Sequence, residues 1–158
     1  VSSIRQRFAN VLAEIDRTID RPMDITALAD AAACSRFHFQ RQFTAILGVS
    51  VAEYRRLLRL KRAGHQLAFR RETAVTEIAF DAAYENLESF SRAFKRVFGQ
   101  SPSVFRQSPD WTTWHKTYDP LLELKGQIMP AGDLDFDSVR ITRFPETLVA
   151  RLEHRGPP

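Results

Sequence analysis

Cysteine is almost missing from this chain. Among 158 residues there is one, Cys34, so no internal disulfide can staple the fold, and a reducing, cytoplasmic compartment is expected. Long apolar runs are missing too. No stretch approaches the ~18 apolar residues of a transmembrane helix, and a membrane is not among the expected partners. The opening VSSIRQRFANVLAEI is periodic rather than continuously apolar, unlike a secretion signal. It does not start with Met, which leaves processing or trimming open. Glycine is scarce, at six residues, and no Gly-rich phosphate loop or G-x-S-x-G elbow is present. His38, His65, His115 and His154 show no metal-ligand spacing with one another or with Cys34. Catalytic residues, cofactors and metals are therefore expected to be none, and the reading is not an enzyme.

What the chain has is basic charge, unevenly spread. Residues 1–108 hold 17 Lys/Arg against 11 Asp/Glu, net +6, and residues 109–158 hold 6 against 8, net −2. The window 36–71 carries nine basic residues and only Glu53 as an acid, which favours a polyanionic partner. An arginine-rich helix can also lie on an acidic membrane or protein surface.

Helical periodicity runs through the first two thirds. Ile4, Phe8, Val11, Leu12, Ile15 and Ile19 form one helix face, which Arg21-Pro22 should end. Residues 25–33 predict a short second helix capped by Asp24 or Thr26, with Ile25, Leu28, Ala29 and Ala32 inward. Ser35 predicts the cap of a third helix with Phe39, Phe43 and Ile46 inward and Gly48 as its stop. Two short helices joined tightly, the second polar and basic, make a helix-turn-helix pattern. Ser50 and Glu53 then read as a capping box opening a helix that runs to about Phe69. Arg55, Arg56, Arg59, Lys61 and Arg62 are expected to face out, and Gly64 sits in mid-helix at a modest cost. Its nineteen residues span roughly 28 Å.

The helix-turn-helix pattern then recurs. Thr76–Tyr84 parallels Thr26–Cys34 at an offset of 50. After one inserted residue the offset is 51, and Phe39, Arg41, Phe43, Gly48 and Ser50 match Phe90, Arg92, Phe94, Gly99 and Ser101. An internal repeat outweighs any single amphipathic helix as a signal. Asn86 is the expected cap of the second reading helix, with Phe90, Phe94 and Phe98 inward. Ser101-Pro102 opens a short last helix whose N-terminus offers a phosphate site. A rod of ~28 Å holds two reading helices slightly less than one ~34 Å DNA turn apart, so engaging both grooves is expected to bend the DNA toward the protein.

Residues 4–107 resemble the AraC/XylS family of bacterial transcription regulators. The stretch IAFDAAYENLESFSRAFKRVFGQSPSVFR is similar to that family's I-A-x-x-x-G-F/Y…F-S-R-x-F-K-x-x-F-G-x-S-P-x-x-Y/F-R signature. Ala83 stands where the family commonly has Gly, and Glu88 puts an acid at an exposed, base-facing slot. The resemblance implies a mainly α fold: seven helices forming tandem helix-turn-helix units joined by a long central helix, over residues 1–108. It implies Arg36, Phe37, Gln40 and Arg41 in one major groove, and Leu87, Glu88, Ser91 and Arg92 in the next, with Lys95 near phosphate. Thr44 and Arg96 complete the DNA-binding set. Arg36 and Lys95 have solvated surface charges as their equal alternative, Phe37 has a core residue, and Leu87 has simple packing. Arg can bond guanine bidentately, Gln can do so with adenine, and Glu can accept from cytosine N4. The partner implied is double-stranded DNA, with room for RNA polymerase as a second.

After Pro109 the texture changes. Residues 109–138 read as a linker. Its Trp111, Trp114 and Tyr118 could pack it back on the last helix, and Gly, Pro and Asp make 126–138 read as loop. Val139–Ile141 and Leu148–Leu152 predict one or two short strands. VRITRFPETLVARLEHRGPP resembles the opening of a GyrI-like effector-binding domain, which implies a truncated chain and a small-molecule effector acting through the missing region. Two other classes compete. A helical protein-interaction module predicts weak DNA binding indifferent to sequence. A peripheral membrane binder predicts binding to anionic vesicles, which the wide spread of apolar core positions disfavours.

Overall fold

The structure, a computed structural model, describes residues 4–128. Eight helices make up the described part: α1 (Ile4–Arg17), α2 (Ile25–Ala31), α3 (Arg36–Leu47), α4 (Val51–Phe69), α5 (Val75–Asp81), α6 (Leu87–Phe98), α7 (Pro102–Gln107) and α8 (Trp111–Ile128). The seven expected helices are there, and an eighth follows where the sequence suggested a linker. The predicted strands lie outside the described residues.

Two apolar cores share one helix. The first gathers Phe8, Val11, Leu12 and Ile15 of α1, Leu28 and Ala29 of α2, Phe39, Phe43 and Leu47 of α3, and Val51 and Tyr54 of α4. The second gathers Leu57, Leu60, Ala63 and Leu67 of α4 with Ile78 of α5, Phe90, Phe94 and Phe98 of α6 and Phe105 of α7. Rings lock each core: Phe39 meets Phe43 edge-on at 5.8 Å, and Phe94 lies 4.3 Å from Phe98 between centroids. Contacts of this kind add to area burial.

The repeat is one of hydrogen bonds as well as of letters. After α2, Cys34 N–H donates to Ala29 O (3.1 Å) and Ala33 N–H to Asp30 O (2.9 Å). Fifty residues on, Tyr84 N–H donates to Ala79 O (3.0 Å) and Ala83 N–H to Phe80 O (2.8 Å). Each pair is a Schellman motif, whose geometry puts one residue in the left-handed region. Those residues are Ala33 (φ 53°) and Ala83 (φ 62°), where a Cβ is disfavoured. Caps agree with expectation at Asp24, Ser35, Ser50, Asn86 and Ser101, and Gly48 and Gly99 close α3 and α6 at φ 72°.

Four expectations are corrected. Helix α1 ends at Arg17 rather than near Arg21, and Ile19 lies beyond its end. The capping box is half formed: Ser50 Oγ accepts from Glu53 N–H (3.2 Å), but the Glu53 carboxylate is taken by Arg56 at 2.5–2.9 Å. Helix α8 runs through residues 126–128, which were expected as loop. The arginines of α4 do not form a free outward face. Arg55 is 8% exposed and donates to the carbonyls of Thr18 and Ile19 (3.1 and 2.9 Å). Arg59 donates to Ile19 O (3.0 Å), and Arg62 bonds the Asp20 carboxylate and Asp81 O. The carbonyls of Thr18 and Ile19 follow the end of α1 and need donors once half-buried.

Ala33→Gly and Ala83→Gly should each stabilise the chain by about 0.5–1 kcal/mol, the relief of left-handed strain less the greater entropy of unfolded Gly. Urea unfolding followed by circular dichroism would read this. A loss of stability in both variants would mean that the turns tolerate Ala at no cost.

Candidate nucleic-acid interface

Each reading helix is anchored by one face, which leaves the other free. In α3 the buried positions are Phe39, Phe43 and Leu47. In α6 they are Phe90, Ala93, Phe94 and Phe98. The spacing that buries these residues turns positions 36, 37, 40, 41 and 44 outward together, because they fall at i, i+1, i+4, i+5 and i+8. The offset of 51 maps them onto 87, 88, 91, 92 and 95.

Arg36, Phe37, Gln40, Arg41 and Thr44 are all exposed, and Phe37, Gln40, Arg41 and Thr44 line one shallow depression with Ala45. Phe37 is 71% exposed, which removes its core alternative. Its ring stands edge-on to His38 at 6.0 Å. In α6, Glu88, Arg92, Lys95 and Arg96 are exposed, and Ser91 is half-buried. Leu87 is 40% exposed, so it does not simply pack.

The two faces differ in charge pairing. Glu88 and Arg92 form an i,i+4 ion pair at 3.4 Å, both largely exposed. A pair so open to water contributes little to stability, but it holds the guanidinium beside a carboxylate. In α3 the slot equivalent to Glu88 is Phe37, and among the described residues Arg36 and Arg41 have no ion-pair partner. The first face therefore offers cations and an aromatic ring, and the second offers a matched acid and base.

The α4 arginines, counted from sequence as part of the basic surface, are spent on backbone carbonyls and carboxylates. Sequence reasoning missed this role, yet the repeat carried a signal for it. At the offset of 51, Arg55 matches Arg106, and Arg106 donates to Thr73 O (2.7 Å), in the segment leading into α5. Each unit thus has an arginine at this slot holding the chain that enters or precedes its helix-turn-helix pair, and in the first unit Arg59 adds a second. Cys34 is half-buried against the first core. Among the described residues no cluster of His, Cys, Asp or Glu could hold a metal ion, and no helix is long and apolar enough to cross a membrane.

A neutral side chain at position 88 removes the acid that phosphate repels. Glu88→Ala should therefore raise affinity for random duplex DNA, more at about 50 mM than at about 200 mM salt. Anisotropy titrations at both salts would check it; unchanged affinity at low salt would place position 88 away from the DNA.

Comparison with known proteins agrees with this geometry. A family described as a helix-turn-helix domain matches residues 28–108. Right origin-binding protein of Escherichia coli K12 is 31% identical over 107 residues, 66% of this chain and 36% of its own length. This chain thus spans about a third of that relative. Regulatory protein SoxS of the same strain is 33% identical over 97 residues, 61% of this chain and 90% of its own. Among solved structures, the DNA-binding domain of AdpA, in complex with a target DNA, superposes with a TM-score of 0.57 at 24% identity, over 65% of this chain and 92% of that one. At that identity the likeness speaks for the fold alone. From the repeated helix-turn-helix geometry and these matches together, the chain belongs to the helix-turn-helix family of AraC/XylS type.

Proposed function

We propose that this chain is the DNA-binding part of a transcription regulator, reading sequence by inserting α3 and α6 into successive major-groove segments. The observation that carries the reading is the doubled face: five register-equivalent slots on two helices, each helix seated by aromatic residues in its own core, with exposed arginines at the same slot, Arg41 and Arg92. Of the five slots only this arginine is the same in both helices, and a scaffold helix has no reason to keep an exposed cation at one slot twice. Relatives named as a regulatory protein and as an origin-binding protein support it.

In this reading Arg41 and Arg92 bond guanine edges, Gln40 bonds adenine, and Phe37 lies against thymine methyl groups. Glu88 accepts from cytosine N4 while steadying Arg92, and Ser91 and Thr44 add hydroxyl contacts. Arg36 lies with Gln40 and Arg41 in the first groove, and Lys95 and Arg96 reach phosphate. RNA polymerase is the further partner expected of a promoter-bound regulator, and a small-molecule effector would act through an effector-binding domain of the GyrI-like type, whose opening residues 139–158 resemble. The competing reading, a protein-interaction module with only non-specific DNA affinity, makes the opposite prediction in the same experiment.

That experiment is selection from a random ~25-base-pair pool, followed by anisotropy titrations of wild type, Arg41→Ala and Arg92→Ala at two salt concentrations. The expected consensus has two short elements about one turn apart, and each variant loses ~1–3 kcal/mol and relaxes only its own element. Binding that is uniform across sequences and vanishes with salt would leave only phosphate attraction and move the interaction module to the front. Because the central rod of ~28 Å falls short of one ~34 Å turn, a circular-permutation gel of the bound consensus should show a bend. Straight DNA with both elements occupied would contradict the two-groove geometry.

A further inference from the structure

Helix α8 lies outside the matched region of residues 28–108, so family membership says nothing of its purpose. It has a buried stripe at Trp114, Tyr118 and Ile128, with Trp111, Leu121, Leu124 and Lys125 half-buried along the same face. That stripe does not belong to one core. Trp114 and Tyr118 are members of the second core, Ile128 is a member of the first, and Leu121 packs against both. Eighteen residues give roughly 27 Å of helix, about the length of the shared helix α4. The contacts follow suit: α8 packs on α1 and α3 of the first unit and on α6 of the second.

The contacts on α4 fall at its midpoint, where one core gives way to the other. Tyr118 Oη donates to Leu57 O (2.9 Å), at the first α4 residue of the second core. Lys61 Nζ stands 5.4 Å from the Trp114 ring and 5.7 Å from the Tyr118 ring. Gly64, whose presence in mid-helix had no visible reason in the sequence, is buried under the indole. A Cβ there would lie 3.4 Å from Trp114 Nε1, so any longer side chain would displace the ring. At the far end Lys125 pairs with Asp16 of α1. A rod carrying a domain at each end bends most easily at its middle, and α8 holds that middle while packing on a helix of the unit at each end.

We propose that α8 is a brace that fixes the separation and orientation of the two reading helices, with Trp114 and Tyr118 as positioning residues for two-element DNA recognition. This rests on the DNA-binding reading above. A fixed geometry raises the effective concentration of the second helix at one operator spacing and lowers it at others. A loose geometry spreads the same binding over several spacings.

The test uses the full chain carrying Trp114→Ala, its conservative counterpart Trp114→Phe, Lys125→Glu, and the charge swap Asp16→Lys/Lys125→Glu. The first readout needs no DNA. Spin labels at the exposed positions Ala45 on α3 and Ser103 on α7, in a Cys34→Ser background, report the distance between units. Wild type should give a narrow distribution, which Trp114→Ala and Lys125→Glu widen and Trp114→Phe and the charge swap narrow again. The second readout titrates duplexes whose two elements are moved apart or together by one to three base pairs, with single-element duplexes as controls. The variants should lose roughly tenfold or more of the spacing preference, while single-element affinity stays within about twofold. If Trp114→Ala unfolds the second unit, its single-element binding disappears and the ion-pair variant Lys125→Glu, outside both apolar cores, decides. A specific wild type whose folded variants keep both the narrow distance and the spacing preference overturns the brace and leaves the DNA reading intact. A wild type with no sequence preference overturns the DNA reading, and with it the positioning role, whatever the labels report.

Discussion

One helix has to satisfy two cores. Helix α4 contributes Val51 and Tyr54 to one apolar cluster and Leu57, Leu60, Ala63 and Leu67 to the other. It cannot rotate to improve one core without unpacking the other. This constraint ties the registers of the two units together, and interiors packed at crystal-like density leave little slack to relieve it. The outward directions of α3 and α6 follow, since each is fixed by aromatic residues locked into a core that α4 already orients.

The buried arginines are a second consequence. With α4 committed to apolar contact on two faces, the carbonyls after α1 are half-buried and take protein donors. Arg55 and Arg59 supply them. Burial lowers the Arg55 pKa, with the nearby Arg59 charge adding to the effect, but arginine keeps its charge well above neutral pH. Arg62 joins Asp20 to the carbonyl end of α5. The bond from Arg62 holds the Asp20 carboxyl below its ordinary range, against the smaller opposing effect of burial. A carboxylate lowered in the folded state contributes stability above its unfolded pKa and loses it as pH falls through the folded one. These arginines set the frame that α3 and α6 stand on, and the exposed cations Arg36, Arg41, Lys95 and Arg96 stay on those helices.

How much of this was legible depends on whether the signal was local or tertiary. The caps, the reading helices and the outward slots are local: a side chain at Ser35 or Asn86 bonds a backbone N–H three residues on, and helical spacing sorts Phe39 from Arg41. The repeat made these features redundant and so readable. The fate of the α4 arginines was not local. An arginine aimed at solvent and one aimed at a carbonyl 36 residues back have the same helical address, and only the packed fold separates them. The unpartnered look of Phe37 stayed ambiguous for the same reason, because an aromatic residue at a helix's first turn fits a core or a groove equally well.

Helix α8 shows where local reading fails for an identifiable cause. Its stretch holds Pro120, two adjacent threonines and three large aromatic residues, all poor helix formers. A propensity argument therefore returns a linker. The helix is capped by Asp110, which accepts from the N–H of Thr113 at 3.2 Å. Beyond that cap it is held by tertiary burial: Trp111, Trp114, Tyr118 and Leu121 recur at i, i+3, i+7 and i+10, and each finds a partner in a core built by distant residues. Pro120 sits on the exposed side of the helix, where the missing backbone N–H leaves the carbonyl four residues earlier open to water. Periodicity outweighed propensity there because most helical stability in proteins comes from packing an amphipathic face. The same burial gives α8 a hold on both units, and Gly64 is the point on α4 where that hold is written into the sequence.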